Sequence, residues 1–351
     1  MKNGTLYIFL LKGTYAYTAD RNWENDVEVK RSGCNPNITR DIAYQLINGE
    51  TGRNFNVILG GGRKMFLPRG QFDEQGQEGS RFDGLNLIEK WKQFKSKTGK
   101  SEYVWNRNQL VKLGEVQNLL GLFTDSHMSF DLDRDPNVEP SLTEMTQAAI
   151  SVLSKNDNGY FLFVEGGMID QAHHLTYAQK ALGDTLAFAD AVQRAVDITG
   201  RDDTLIVVTA DHGHTLTFNG YAGRGSDIFG LAGLGEDGLP YSVLTYSNGP
   251  GYAYDKSGKR RDLREDHMGK KDYKFPVQIP LSRETHDGED VPIYALGPWA
   301  HLFSGAYEQN VIPHVIAYAS CVGDGITACE QDMRRKRRKR SYKFARPHRK
   351  N

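Results

Sequence analysis

The sequence predicts an α/β fold, a central and largely parallel sheet flanked by helices, and three observations carry that prediction. Apolar runs recur, and each stops at a turn rich in glycine or acid: Asn56–Leu59 at Gly60-Gly61-Gly62, Tyr160–Val164 at Glu165-Gly166-Gly167, and Thr204–Thr209 at Ala210-Asp211-His212. Between the last two, Leu182, Leu186, Ala189, Val192 and Val196 repeat at helical spacing, with Gly200 as a stop signal. No internal repeat is present, which excludes solenoids and propellers.

In chain order, Asp41–Asn48 reads as a helix, Asn56–Leu59 as a strand, and Ser141-Leu142-Thr143-Glu144 as a capping box opening a helix that runs to Leu153. Residues 160–164 and 204–209, with the periodic segment between them, read as one βαβ unit whose strands are buried on both faces. Composition shifts at Asn219. Eleven glycines fall within 219–280, so 219–282 reads as an inserted, loop-rich subdomain with one strand at Tyr241–Tyr246. The core resumes at Val291–Leu296, and Gln309–Ser320 reads as a closing helix. The boundaries are an N-terminal segment 1–11, a body 12–333 containing the insert, and a basic tail 334–351 expected to be disordered.

With 351 residues, 38% of them apolar and 25% charged, the chain is neither disordered, collagen-like nor a disulfide mini-protein. Its 44 basic and 44 acidic side chains balance, yet eleven of the bases lie within 334–350, where there is no acid. The body is therefore acidic, which argues against a nucleic-acid partner despite the basic run Arg334–Arg340. No apolar run approaches the roughly 20 residues of a membrane span. Thr5–Leu11 is short for a signal-peptide core and lacks a small-residue cleavage site. Cys321 and Cys329 are close enough in sequence to close a small loop, with Cys34 left over, and Asn37-Ile38-Thr39 fits the N-glycosylation pattern.

Five of the ten histidines, at 173, 174, 212, 214 and 286, lie near carboxylates just past predicted strands or in polar loops. In α/β sheets ligands bind beyond the carboxyl ends of strands, where Glu165, Asp170, His174, Asp211 and His212 fall. Asp170 and His174 are spaced i,i+4, so one helical turn stacks both side chains on one face towards a single ion. Imidazole nitrogen with carboxylate oxygen suits zinc.

Val164-Glu165-Gly166-Gly167-Met168-Ile169-Asp170-Gln171-Ala172-His173-His174, then Thr209-Ala210-Asp211-His212-Gly213-His214, then Glu284-Thr285-His286-Asp287-Gly288-Glu289-Asp290 closely resemble the animal alkaline phosphatases in order and spacing. The resemblance extends from Gly13-Thr14-Tyr15-Ala16 and Asp20-Arg21-Asn22-Trp23 through Gly60-Gly61-Gly62-Arg63-Lys64 and Val104-Trp105-Asn106-Arg107 to Thr327-Ala328-Cys329. It implies a phosphomonoester hydrolase using two zinc ions and a magnesium, homodimeric, and extracellular or at the cell surface. Carried over by position, Asp170, His174 and His286 match the first zinc, Asp211 and His212 two ligands of the second, and Glu165 a magnesium ligand. His214 matches a histidine beside the zinc pair, and Arg21 the arginine that grips phosphate. Phe123 and Glu139 match two positions of a calcium site, with Thr124 where the family usually has glutamate and Asp73 or Glu74 near a third position. Cys321 and Cys329 match a C-terminal disulfide, while the partner matched to Cys34 falls upstream.

In that family a serine attacks the ester, and an aspartate bridges the second zinc and magnesium. Both lie upstream of the segment matched here, so the expectation is an N-terminally truncated chain without its serine nucleophile, and with a basic tail where the family has a GPI-anchor signal. The alternative is a catalytically inactive zinc-binding protein of the same fold.

Overall fold

The structure, a computed structural model, describes residues 4–9 and 18–323. The described residues divide into two compact units, one built from those up to Ala195 together with His214–Gly288, the other from Val196–Gly213 and 289–323. The basic tail 334–351 and Cys329 lie outside the described residues.

The first unit holds a five-stranded, all-parallel sheet. Its strands are β1 (Gly4–Phe9), β2 (Val57–Gly60), β3 (Ser101–Val104), β4 (Asn118–Leu122) and β5 (Tyr160–Phe163), in the spatial order β3-β4-β2-β1-β5. The segment read as a short apolar run before the body is thus a central strand, with Leu6 opposite both Val57 and Leu162. Helices α1 (Asp26–Arg31), α2 (Ile42–Asn48), α3 (Leu87–Lys95), α4 (Arg107–Val111) and α5 (Leu142–Leu153) alternate with these strands. Strand alternation sends Ile58, Leu120 and Leu122 to one face against Ile42, Leu46, Leu87 and Trp91 of α2 and α3. Val57, Leu59 and Leu119 go to the other face, against Met145, Ala149 and Leu153 of α5. The capping box forms as read: Ser141 Oγ accepts from Glu144 N, and the Glu144 carboxylate accepts from Ser141 N.

Burial on both faces holds for β2 but not for β5, whose Phe161 and Phe163 are 41% and 43% exposed. The reason is position: β5 is the edge of the sheet, while β2 lies inside it.

After β5 come α6 (Met168–His174) and α7 (Ala178–Thr199), which ends at Gly200 with φ 72°. The second unit, which takes in the chain from Val196, holds β6 (Ile206–Val208). This corrects the βαβ reading, because β6 pairs antiparallel with a later strand rather than parallel with β5.

The insert returns the chain to the first unit. There β7 (Leu216–Phe218) is followed by β8 (Leu231–Leu234), β9 (Pro240–Ser242), β10 (Leu244–Gly249) and β11 (Val277–Pro280). One expected strand at 241–246 is therefore two, interrupted at Val243, whose N–H bonds to Gly230 instead of continuing a ladder. β10 runs between β7 and β11, and its Leu244 and Tyr246 pack with Phe275 and Val277 against Ala178 at the start of α7.

In the second unit, β12 (Tyr294–Leu296) completes the two-stranded sheet with β6, and α8 (Val311–Ser320) ends at Cys321. Gly297 has φ 102°, and a Cβ there would lie 2.1 Å from the Thr204 carbonyl oxygen, so only glycine fits this crossing. Cys321 is disulfide-bonded, and Cys34 in the first unit is a free thiol.

Asp184 of α7 makes stability depend on pH. Burial first, then the charges of Asp131 and Asp133, push its carboxyl up to about 7, against the bond it accepts from Asp131 N. The folded chain then holds a proton that the unfolded chain releases near pH 4. Its contribution is full below about pH 4 and is lost as pH rises through 7. Asp184→Asn should therefore gain stability relative to the parent between pH 5 and pH 8, read as urea midpoints; parallel midpoints at the two pH values would refute this.

Candidate metal centre

The centre grows from the turn after β5. Val164-Glu165-Gly166-Gly167 leads into α6, and its i,i+4 spacing puts Asp170 and His174 on one face. A tight reversal follows, in which Thr176 takes φ 58° and its N–H bonds to the His173 carbonyl. Two segments, one just before the insert and one just after it, are laid against this helix. Glu284 N donates to the His174 carbonyl at 2.9 Å, and His214 and His286 face each other across an antiparallel bridge.

The result is a triangle of donor atoms. His174 Nε2 lies 3.2 Å from Asp170 Oδ1, His286 Nε2 lies 3.2 Å from the same oxygen, and the two imidazole nitrogens are 3.3 Å apart. Four donors held tetrahedrally at zinc distances of about 2.0–2.1 Å are separated by about 3.3–3.4 Å, so the triangle has the dimensions of one face of such a site. The donor chemistry fits as well: His174 Nδ1–H donates to the Glu284 carbonyl at 2.5 Å, which leaves the Nε2 lone pair towards the triangle.

His214 stands behind Asp170. Its Nε2 is 3.0 Å from Asp170 Oδ1, and its Nδ1 is 2.6 Å from Glu284 Oε2. Burial works against an imidazolium here, but hydrogen bonds to Asp170 and Glu284 carry its pKa up to about 9, so both ring nitrogens donate. Burial likewise opposes ionisation of Asp170, yet the hydrogen bond from His214 and the neighbouring imidazoles hold its carboxyl well below the usual range. His173 stacks on His214, with ring centroids 4.7 Å apart. Burial and the charge of His214 push it down to about 4, and its Nδ1 lies 2.9 Å from the hydroxyl of buried Tyr246.

Four residues named from the sequence thus converge: Asp170, His174, His214 and His286. Glu165 is half-buried just past β5. Arg21 sits in the exposed turn ahead of α1, outside the contacts just described. Asp211 and His212 follow β6 in the second unit, where His212 Nε2 is 3.5 Å from Asp211 Oδ2. Phe123 is buried at the end of β4, and buried Glu139 accepts from Ser129 N at 2.7 Å. Asp73 is paired at 2.7 Å with the buried guanidinium of Arg63, which also donates to the Leu122 carbonyl. Asn37 is exposed.

Glu284 was not read from the sequence as a site residue. It is almost fully buried, and its Oε1 accepts from both Thr215 N at 2.7 Å and Thr215 Oγ1 at 2.8 Å. The available signal was an acid two residues before His286, a spacing that places both side chains on one side of an extended segment.

The sequence profile of the alkaline phosphatases matches residues 12–322. The chain belongs to the alkaline phosphatase family. Among its relatives, the membrane-bound alkaline phosphatase of Bombyx mori is 47% identical over 322 residues, which covers 90% of this chain and 58% of the relative. The tissue-nonspecific isozymes of Felis catus and Homo sapiens are 44% and 42% identical, each match covering 90% of this chain and 61% of the isozyme. The chain thus spans about three-fifths of the length of these relatives. Among solved structures, alkaline phosphatase from the Antarctic bacterium TAB5 aligns with a TM-score of 0.56 at 18% identity, covering 91% of this chain and 72% of that one. A variant of the TAB5 enzyme with Mg bound in the M3 site aligns at 0.59 with 20% identity, covering 92% and 73%. At these identities the structures speak for the fold, an α/β arrangement with a parallel sheet. Among the described residues, no helix is long and apolar enough to cross a membrane.

Proposed function

We propose that this chain carries zinc-binding machinery of a metal-dependent phosphomonoester hydrolase. The observation that supports this best is the Asp170–His174–His286 triangle, whose edges suit a tetrahedral zinc ion. Held by Asp170, His174 and His286, a zinc ion would supply Lewis acidity towards a phosphate oxygen and a water. Asp170 brings the negative charge, His174 is oriented by the Glu284 carbonyl, and His214 steadies Asp170 from behind. The side chain of His286 is 38% exposed against 12% for His174, so the site opens to solvent, and to an approaching ester, on the His286 side.

Family resemblance extends the reading to further residues. Asp211 and His212 take a second zinc, Glu165 takes magnesium, and Arg21 grips the phosphate through its planar, two-pronged guanidinium. The Mg-bound TAB5 variant is in keeping with the magnesium assignment. Phe123 and Glu139 are the candidate calcium positions, and Asp73 is already committed to Arg63. A secreted or surface-attached homodimer, glycosylated at Asn37, completes the proposal.

Metal analysis and p-nitrophenyl phosphate hydrolysis on the purified 351-residue polypeptide test it. Zinc is expected to bind. Turnover is expected well below the ~10 per second typical of enzymes, because the nucleophilic serine of the family matches none of the 351 residues. Protein that takes up no zinc would sink the reading, and zinc with no hydrolysis at all would favour the inactive, metal-binding form. Turnover near 10 per second would show the rate expectation to be wrong.

A further inference from the structure

The geometry points to Glu284 as a positioning residue that sets two of the three donors of the zinc triangle through two different atoms. This rests on the zinc reading above. Its main-chain carbonyl accepts from His174 Nδ1 at 2.5 Å, which fixes the ring tautomer and aims Nε2 at the triangle. Its carboxylate accepts from His214 Nδ1 at 2.6 Å, and His214 in turn reaches Asp170 Oδ1 at 3.0 Å. The third donor, His286, is two residues further along the same segment, and the Glu284 N–H ties that segment to the His174 carbonyl.

Glu284 is itself held on three sides. Thr215 donates twice to Oε1, from its N–H and its hydroxyl, so the carboxylate has little freedom to follow a wandering imidazole. A buried carboxylate that accepts three hydrogen bonds is a stiff anchor, and removing one acceptor leaves the His214 N–H buried without a partner. The free energy of that loss falls on the next contact, His214 to Asp170. An Asp170 that swings away widens the triangle beyond what zinc tolerates.

Glu284→Gln separates the two routes. It keeps the main-chain carbonyl and an oxygen for Thr215, but it can turn an NH2 group towards His214 Nδ1–H. Zinc affinity, measured by chelator competition on the full chain, is expected to fall about tenfold to a hundredfold, the range seen for partners behind metal ligands. The visible spectrum of the cobalt-substituted protein should shift at the same time, because the donor geometry changes. In a His214→Ala background the same substitution should cost less than about threefold, since its route to Asp170 is already cut. Leu87→Ala, at the buried first residue of α3, serves as the comparison: it lowers stability and leaves zinc affinity unchanged. If Glu284→Gln does not fold, Glu284→Asp, which draws the charge back by one methylene, is expected to show the same loss. Unchanged affinity and an unchanged cobalt spectrum would overturn the proposal, as would an equal loss with and without His214. A parent chain that binds no zinc overturns the zinc reading and this inference together, whereas a parent that binds zinc alongside an indifferent Glu284→Gln overturns only the inference.

Discussion

His286→Ala is expected to weaken zinc binding by at least about a hundredfold, while His301→Ala leaves it unchanged. The first substitution removes one corner of the donor triangle, which leaves Asp170 and His174 of the three. Losing a partner that merely orients a ligand costs about ten- to a hundredfold, and losing a ligand costs no less. His301 lies in a short turn of the second unit and outside the three sequence motifs, and so serves as the control. Calorimetric titration with zinc against a competing chelator decides the matter. Equal affinities for the two variants would remove the assignment of His286.

The second large effect is on stability. Arg81 is fully buried, and its guanidinium donates to both oxygens of Asp41, to both oxygens of Asp83 and to the Met65 carbonyl, with Asp26 4.0 Å away. Burial and the charge of Asp83 raise the Asp26 carboxyl, and Arg81 opposes them. Arg81→Met fills much of the volume but leaves buried carboxylates facing one another, a loss expected to cost about 3–5 kcal/mol. Asp41 also caps α2 by accepting from Tyr44 N, so the helix start loosens with it. Urea unfolding at pH 7 should show the loss. It should shrink towards pH 4, where the unpaired carboxyls take up protons. A midpoint within error of the parent at both pH values would contradict this account.

Legibility in the sequence followed the range of the interaction. Ser141 and Glu144 are three residues apart, and their capping box was readable because its hydrogen bonds are local. Asp170 and His174 were readable for the same reason, since one helical turn alone makes them neighbours. The strand at 57–60 was visible because burial on both faces leaves no polar position to interrupt the run. Phe161 and Phe163 misled for the converse reason: an edge strand can carry an apolar run with one face exposed, and nothing local marks the edge.

By itself, then, the sequence determined the α/β class, the helix starts at Asp41 and Ser141 and the chemical identity of the donors, because propensity, capping and i,i+4 spacing act over a few residues. Only the tertiary structure decided that residues 4–9 form a central strand, that β6 pairs with β12, and that Glu284 reaches back about 70 residues to His214 and 110 to His174. Those pairings are choices among many partners of similar local character. They are settled by which apolar faces can be covered at once and which buried polar groups can be satisfied together, and neither condition is written in any short stretch of chain.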